Sequence, residues 1–387
     1  MEMKIYYPDI IEFINGFPIE EQNEKELKEN LYFIYQCMDE PNQKYVINKV
    51  VENEVRNNTI RQKHFDIRKM KLKELKKLKL PEQRSKEWYA MRKNKLTASS
   101  IASAINKCHF TSRDELLLSK IEEKPYESND ITELGVKYED IAIAFYEELY
   151  NVKVLDFGLV PHPVFEAFGA SPDGICDDTG NDEYVARMVE IKCPPKRKFT
   201  KTVPSHYLMQ VQGQLEVCDL DQCDFFQVKI EEYNDLLEYE QDIFINDDVI
   251  LPGRTHLNYP KGVTLSYRKK DEMKLTYLYP PLNLTIQQYK DWIQENKLKI
   301  TYEGHEFVEN KWWKISRYEC SLVDRDTSWW IKNVDKILDF YNDLLLYRNN
   351  PTKLEELKNR IIHSKKNRKI KQEPLNDFVL ISDEEDN

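Results

Sequence analysis

The chain of 387 residues has no apolar run of about eighteen residues, the length a helix needs to span a bilayer. Its opening residues, MEMKIYYPDIIEF, lack the basic-then-apolar layout of a secretory signal. Both absences predict a soluble, intracellular protein without a membrane partner. The seven cysteines, Cys37, Cys108, Cys176, Cys193, Cys218, Cys223 and Cys320, contain no CxxC pair. An odd, scattered set fits reduced thiols in a reducing compartment. It argues against a structural zinc or an iron–sulfur cluster, both of which want clustered thiolates. Cys218 and Cys223 are close in sequence and are read as packing residues. An excess of positive charge is missing too, since the formal net charge is −11. Net charge averages over faces, however, and local fields decide binding. Three stretches are strongly basic: RQKHFDIRKMKLKELKKLKL (61–80), KCPPKRKFTK (192–201) and KKNRKIK (365–371). Taken singly, each has an ordinary reading as a solvated charged face.

Aromatic residues are plentiful, with 23 Tyr, 16 Phe and 6 Trp, enough for a sizeable core. The length allows one large domain with appendages, or two domains. Apolar residues at helical spacing in IEEQNEKELKENLYFIYQCM, VINKVVENEVRNNTIRQ and KLKELKKLKL predict a helical N-terminal extension over 1–82, closed near Pro81. KEWYAMRKNKLTASSIASAINK reads as a helix interrupted by the cap residues Thr97, Ser99 and Ser100. RDELLLSKIEE is a short helix, and DITELGVKYEDIAIAFYEELYNV a long amphipathic one. The period then changes: NVKVLDFGLVPH, FEAFGAS and EYVARMVEIKCP alternate as strands do. SHYLMQVQGQLEVC returns to helix and DFFQVKIEEY to strand. Helix, three strands, helix, strand is a mixed α/β core with antiparallel strands followed by a crossover helix, placed at 83–231. Residues 232–310 are read as a β-rich insertion. Residues 311–350 supply a strand (KWWKISRYECSL) and a helix (SWWIKNVDKILDFYNDLLLY) that complete the core. Trp312, Trp313, Trp329 and Trp330 are read as core residues rather than base-stacking platforms. Residues 351–387 are read as a charged, disordered tail.

The chemistry concentrates in GASPDGICDDTGNDEYVARMVEIKCPPK (169–196). Glu190 and Lys192 lie two apart on a strand and share a face, with Ile191 turned into the core. Asp173 is placed where a preceding strand ends, at Pro172–Gly174. If the two strands pair antiparallel, with 175–186 as the loop, Asp173, Glu190 and Lys192 converge at a sheet end. Two carboxylates supply hard oxygen ligands for Mg²⁺. Such an ion generates a nucleophilic water and neutralises charge, and a lysine beside it can stabilise a developing anion. Alone, the same pattern reads more simply as a turn aspartate and a surface Glu–Lys ladder.

SPDG followed by EIKCP resembles the PD-(D/E)XK nuclease motif in the form used by the lambda-phage exonuclease family. That family includes the YqaJ-type viral recombinase domains and relatives in large DNA viruses. EWYAMRKNKLTAS, LGVKYED and YLMQVQGQL resemble further motifs of the family, in the family's order. The resemblance implies a restriction-endonuclease-like PD-(D/E)XK core, a mixed sheet flanked by helices, carrying the helical N-terminal extension and the β-rich insertion. It implies Asp173 and Glu190 as metal ligands, with the Ile191 carbonyl and a further carboxylate from Glu139, for one or two Mg²⁺ ions that Mn²⁺ can replace. Lys192 becomes the catalytic lysine, and Gln210 completes the site. Arg92, Ser99 and Ser171 become a pocket for a terminal 5′-phosphate, with Tyr207 one turn before Gln210 on the same helix face. A planar Arg fork suits that task. Outside the resemblance each has a plainer reading: Arg92 as a surface charge, Ser99 as a cap, Gln210 and Glu139 as members of polar helix faces.

The sequence departs from the family in three places. CDDTGNDEYVARMV separates Asp173 from Glu190, where many members have a short hairpin. Pro163 stands where an acidic residue is frequent, leaving Glu166 and His162 as the nearby polar candidates. The resemblance implies a homo-oligomer, a ring-shaped trimer, against which stand residues 232–310, with no counterpart in the compact phage enzyme.

The expectation is therefore a Mg²⁺-dependent 5′-to-3′ exodeoxyribonuclease on 5′-phosphorylated ends of double-stranded DNA, serving recombination, repair or replication beside a single-strand-annealing protein. Two rivals stay open: an endonuclease or flap-processing nuclease on the same fold, and a non-catalytic DNA-binding scaffold. KKNRKIK resembles a nuclear-import patch, IKQE (370–373) a sumoylation site, and VLISDEED (379–386) a SUMO-interacting motif. A disordered acidic tail is the alternative. With those motifs in use, a virus-encoded protein would act in a host nucleus or at a viral replication site.

Overall fold

The computed structural model describes residues 7–36, 41–122, 130–195, 199–272 and 274–372. The chain forms two compact units, Met1–Leu78 with Asp177–Ala186, and Lys79–Cys176 with Arg187–Asn387.

The first unit is helical, as the apolar spacing requires: α1 (Tyr7–Asn15), α2 (Glu24–Ile34) and α3 (Pro41–Lys76). Asn23 caps α2 by accepting from the main-chain N–H of Lys25 and Glu26. Ile10 and Ile14, Leu27 and Leu31, and Ile47 with Val50 and Val51 close one core. Each such side chain contributes about 1.5–3 kcal/mol on full burial. The acidic segment 177–186 belongs to this unit. Lys76 pairs with Asp177 and with Asp178 (3.1 Å), Lys69 pairs with Asp178 (3.3 Å), and Arg68 donates to the Glu183 and Asp182 carbonyls at 3.0 and 3.3 Å. The segment between the two motif halves is thus a partner of α3.

The second unit begins with α4 (Lys86–Asn94), β1 (Leu96–Thr97), α5 (Ile101–Ala104), α6 (Arg113–Ile121) and α7 (Asp130–Tyr150). Strands β2 (Val152–Leu155), β3 (Val160–Pro161), β4 (Phe168–Ala170), β5 (Gly174–Gly180, of which residues 177–180 belong to the first unit) and β6 (Met188–Lys192) follow, then α8 (Ser205–Cys218) and β7 (Gln222–Glu232). Next come α9 (Leu236–Gln241), β8 (Phe244–Asn246), β9 (Val249–Leu251), β10 (Lys261–Arg268), β11 (Leu275–Leu278) and α10 (Ile286–Tyr302). The remainder is β12 (Glu306–Asp324), α11 (Thr327–Asn349) and α12 (Pro351–Gln372).

A seven-stranded mixed sheet in the order β11-β10-β12-β7-β6-β5-β2 forms the centre. β5 and β6 pair antiparallel, Gly174 opposite Val189, while β6 and β7 run parallel, joined by α8 as the crossover. Val189, Ile191, Phe225 and Phe226 bury the middle of the sheet. A small sheet, β1-β4-β3, lies apart from it. Gly213 lets α8 approach closely. A Cβ there would collide with the Ile101 side chain and stand 3.3 Å from both Ala98 Cβ and Phe168 Cζ.

The mixed sheet, its flanking helices and the helical N-terminal region agree with the expected fold class. Several details differ. Asp173 does not close a strand: β4 stops at Ala170 in the small sheet, and Asp173 stands at the entry of β5. EYVA is not strand, because Asp182–Tyr184 forms a 3₁₀ turn capped by the Asn181 side chain. Residues 232–310 are not a separate β module: β10 and β11 extend the central sheet, and α10 starts from a Thr285–Gln288 capping box. Residues 351–372 are helical rather than disordered. Pro351 acts as a first-turn residue, where a missing N–H costs nothing. Leu357 and Ile361 are buried, and Arg360 forks onto Asp114 at 3.1 and 3.2 Å. Side chains past Lys365, residues 373–387 and the basic flank at 196–198 lie outside the described residues, and with them both SUMO-related motifs.

Candidate active site

The antiparallel β5–β6 pair brings the motif halves together as its register demands. The main-chain N–H of Ile191 donates to Asp173 Oδ2 at 2.7 Å, which ties the two strands at the point where the motif needs them. Glu190 is fully buried, and its two oxygens are divided between partners. One accepts from Lys192 Nζ and from Gln210 Nε2 (2.6 Å), the other from Gln214 Nε2 at 2.7 Å. Gln210 and Gln214 lie four apart on α8 and so share a face. Lys192 Nζ also lies 5.2 Å from the centroid of the Tyr207 ring, within cation–π range.

The electrostatics follow from this crowding. Asp173 reaches solvent only in part, and its carboxyl is pushed well above the usual range by burial first and by Glu190 second, against the pull of Lys192. Burial lowers Lys192, but Glu190 and Asp173 more than reverse it, so the ammonium is held firmly charged. Glu139 on α7 is raised by burial, opposed by Arg84, whose Nη2 donates to its Oε1 at 2.8 Å.

A second group adjoins the first. Trp88 on α4 donates from Nε1 to Ser171 Oγ at 3.0 Å, and the Arg92 guanidinium stacks 4.3 Å from the Trp88 ring centroid. Arg92 Nη2 also donates to Ser99 Oγ at 3.3 Å. Burial lowers the Arg92 pKa, with Tyr89, Asp173 and Glu190 opposing, so Arg92 shares the field of the two carboxylates. Gln214 Nε2 reaches the Ser171 carbonyl at 3.3 Å, linking the two groups.

Asp173, Glu190, Ile191, Lys192, Gln210 and Tyr207 are therefore gathered in one place, and Arg92, Ser99 and Ser171 form a chain through Trp88. Glu139 is held by Arg84, with its field reaching Lys192 and Glu190. His162 is a packing residue: its Nδ1 accepts from the main-chain N–H of Val164 and Phe165, and its ring stacks on Trp330 at 5.7 Å. Glu166 contributes its carbonyl to Lys95. Trp312, Trp313 and Trp330 are buried, as read, whereas Trp329 is only half-buried.

Reading the sequence assigned no role to Gln83, Arg84 or Gln214. Gln83 Nε2 donates to the Phe157 and Pro172 carbonyls, both at 3.0 Å, and so holds the chain immediately before Asp173. Arg84 adopts φ +66°, an uncommon region for a residue with a Cβ. The i,i+4 spacing of Gln210 and Gln214 was the available signal for Gln214.

Among the described residues no three His, Cys, Asp or Glu side chains are grouped so as to hold a metal ion, and Glu139 does not join Asp173 and Glu190 in such a group. The donor chemistry nevertheless fits a hard divalent ion. Asp173 and Glu190 are like-charged neighbours, and the buried Gln214 Oε1 has no hydrogen-bond partner. Mg²⁺ is held by one or two carboxylates and keeps several waters, so it needs no cage of three.

The fold and the site together define a mixed α/β domain with an Asp–Glu–Lys constellation on paired strands. Residues 87–221 match the family model of the YqaJ-like viral recombinase domain. A relative, "Uncharacterized protein R354" of Acanthamoeba polyphaga mimivirus, is 30% identical over 327 residues, which cover 77% of this chain. The chain spans 58% of the length of that relative. Among solved structures, an alkaline exonuclease (LHK-Exo) from Laribacter hongkongensis is similar at 20% identity and TM-score 0.39, covering 72% of this chain and 99% of that one. A phage-related exonuclease from Haemophilus somnus 129PT is similar at 13% identity and TM-score 0.33, covering 65% and 95%. Among the described residues no helix is long and apolar enough to cross a membrane.

Proposed function

We propose that the chain is a divalent-metal-dependent deoxyribonuclease that degrades duplex DNA from 5′-phosphorylated ends. The observation that carries this reading is the convergence of Asp173, Glu190 and Lys192 on one strand pair, with Gln210 and Gln214 fixing the glutamate. The match of residues 87–221 to the YqaJ-like viral recombinase domain supports a role in DNA recombination.

Asp173, Glu190 and the Ile191 carbonyl would hold a Mg²⁺ ion, with Glu139 able to add a carboxylate to the ion or its waters. When bound, that ion supplies a water of lowered pKa and a positive charge beside the scissile phosphate. The remaining work falls to the side chains. Gln210 and Gln214 satisfy both oxygens of Glu190, so its carboxylate is oriented before substrate arrives. Lys192, kept charged by its acidic neighbours, donates to the anionic oxygens that gain charge as the bond breaks. Tyr207 borders the lysine, its ring offering a cation–π face to the ammonium. Arg92, braced by the Trp88 face, directs its fork toward a terminal phosphate, with Ser99 and Ser171 as hydroxyl partners.

End dependence tests the reading. Linear duplex is expected to be consumed with Mg²⁺ and spared with EDTA, while covalently closed circular duplex survives in both. Cutting of the closed circle would replace the exonuclease reading with an endonuclease. Linear DNA left intact with Mg²⁺ and Mn²⁺ would end both.

A further inference from the structure

The basic half of α3 is not used by the site described above. Residues 61–80 carry nine Lys and Arg against two acids, in a chain whose net charge is −11. The core of the first unit draws on α3 mainly through Ile47, Val50 and Val51, yet the helix continues to Lys76. Few side chains are buried in that continuation, Leu72 and Leu75 among them. A helix carried past its own core, and charged so heavily with one sign, presents a positive field that attracts an anionic partner.

Part of that partner is already visible. The carboxylates of Asp177 and Asp178 sit on Lys69 and Lys76. Beside this neutralised pair runs a second set, Lys63, Lys73 and Lys77, all exposed. No carboxylate among the described residues pairs with Lys63 or Lys73, and Lys77 reaches only Glu74, the two being well exposed. At 100° and 1.5 Å per residue Lys63 and Lys73 lie within an arc of about 80° and about 15 Å apart along α3, and Lys77 directly follows the last residue of the helix, Lys76. A duplex offers a charge about every 1.7 Å of its axis, so a stripe of this length can meet several phosphates at once.

We propose that Lys63, Lys73 and Lys77 form a binding stripe for the phosphate backbone of duplex DNA, in addition to the end-binding pocket. The choice of DNA rests on the nuclease reading, since DNA is the polyanion that reading puts in the protein's hands. Contacts of this kind carry no sequence information and hold the duplex between cleavage events.

The test measures binding of the full-length chain to a short duplex with 5′-hydroxyl ends in EDTA, so that neither the phosphate pocket nor cleavage contributes. The affinity is followed against salt for wild type, for Lys73→Gln, and for Lys63→Gln/Lys73→Gln/Lys77→Gln. Each lost phosphate contact flattens the log–log slope by about 0.9. The single variant is expected to flatten it by about one and the triple by two to three, with thermal melts matching wild type. Unchanged slopes overturn the proposal. So does a wild type that leaves DNA unbound but holds polyglutamate through the same lysines, which marks a dock for acidic protein. A wild type that binds with the steep slope and never cleaves removes the nuclease reading and leaves the stripe standing.

Discussion

Gln214 donates to Glu190 Oε2 at 2.7 Å, so the most deeply buried carboxylate of the candidate site is fixed by a helix that crosses over between β6 and β7. Gln214 itself is 1% exposed. The pair explains why α8 must lie so close to the core, and why Gly213 sits beside Gln214. It also means that damage to α8 is felt at Glu190.

Replacement of Gln214 by Leu leaves one oxygen of a buried carboxylate without its donor. A loss of about 1–3 kcal/mol in stability is expected from the unsatisfied group. Nuclease activity should fall about 10–100-fold, the range for removing a group that orients a metal ligand. Chemical denaturation and initial rates on linear duplex check the two effects. Gln214→Glu should be worse, because it sets a second carboxylate against Glu190.

Trp88→Phe keeps an aromatic face under Arg92 but removes the donor to Ser171 Oγ. KM for 5′-phosphorylated ends is expected to rise several-fold with kcat little changed. The preference for 5′-phosphate over 5′-hydroxyl ends should narrow in parallel. A fall in kcat with unchanged KM would place Trp88 in the chemistry instead of the pocket.

Arg84 and Glu139 form a pair that bridges 55 residues of chain. Arg84→Met frees Glu139 and is expected to lower activity about 10–100-fold, as a loss of outer support does, with a small change in melting temperature. Combining it with Glu139→Gln should give much less than the summed loss, the signature of coupled residues. Full additivity in that cycle would show that the two act separately.

Lys120 holds the end of α4 by donating to the carbonyls of Arg92 (2.5 Å) and Lys95 (2.9 Å). Burial, with Arg92 and Arg348 nearby, lowers its pKa from 10.5 to about 8. Between those values the unfolded chain keeps the proton that the folded chain has lost. Stability from this group therefore rises as pH climbs from about 8 towards 10.5. The melting temperature of wild type relative to Lys120→Gln should increase across that window and stay level below it.

The β5–β6 pair was legible in part: the alternation in EIK places Glu190 and Lys192 on one face, while Asp173, read as closing a strand, stands at the entry of β5. The long α7 and α8 helices were legible from apolar spacing. What was not legible rests on distant contacts or on tertiary overrides. Gln83 acts on a carbonyl 89 residues away, and nothing in its neighbourhood announces that. Pro351 reads as a terminator by propensity but opens α12, because Leu357 and Ile361 find a surface to bury against. The Thr285–Gln288 capping box did mark α10 in the sequence, yet the turn residues around it obscured the signal. The acidic stretch 177–186 had no meaning until α3 supplied Lys69 and Lys76.

In the proposed function Asp173, Glu190 and Lys192 cleave DNA from a phosphorylated 5′ end. The most direct measurement is a time course on linear duplex labelled on one strand, with 5′-phosphate and 5′-hydroxyl ends compared, for wild type and for Asp173→Asn in Mg²⁺. Progressive loss of the 5′-phosphorylated strand by wild type, slower loss from 5′-hydroxyl ends, and no loss with Asp173→Asn is the predicted result. Equal degradation by Asp173→Asn and wild type would contradict the account.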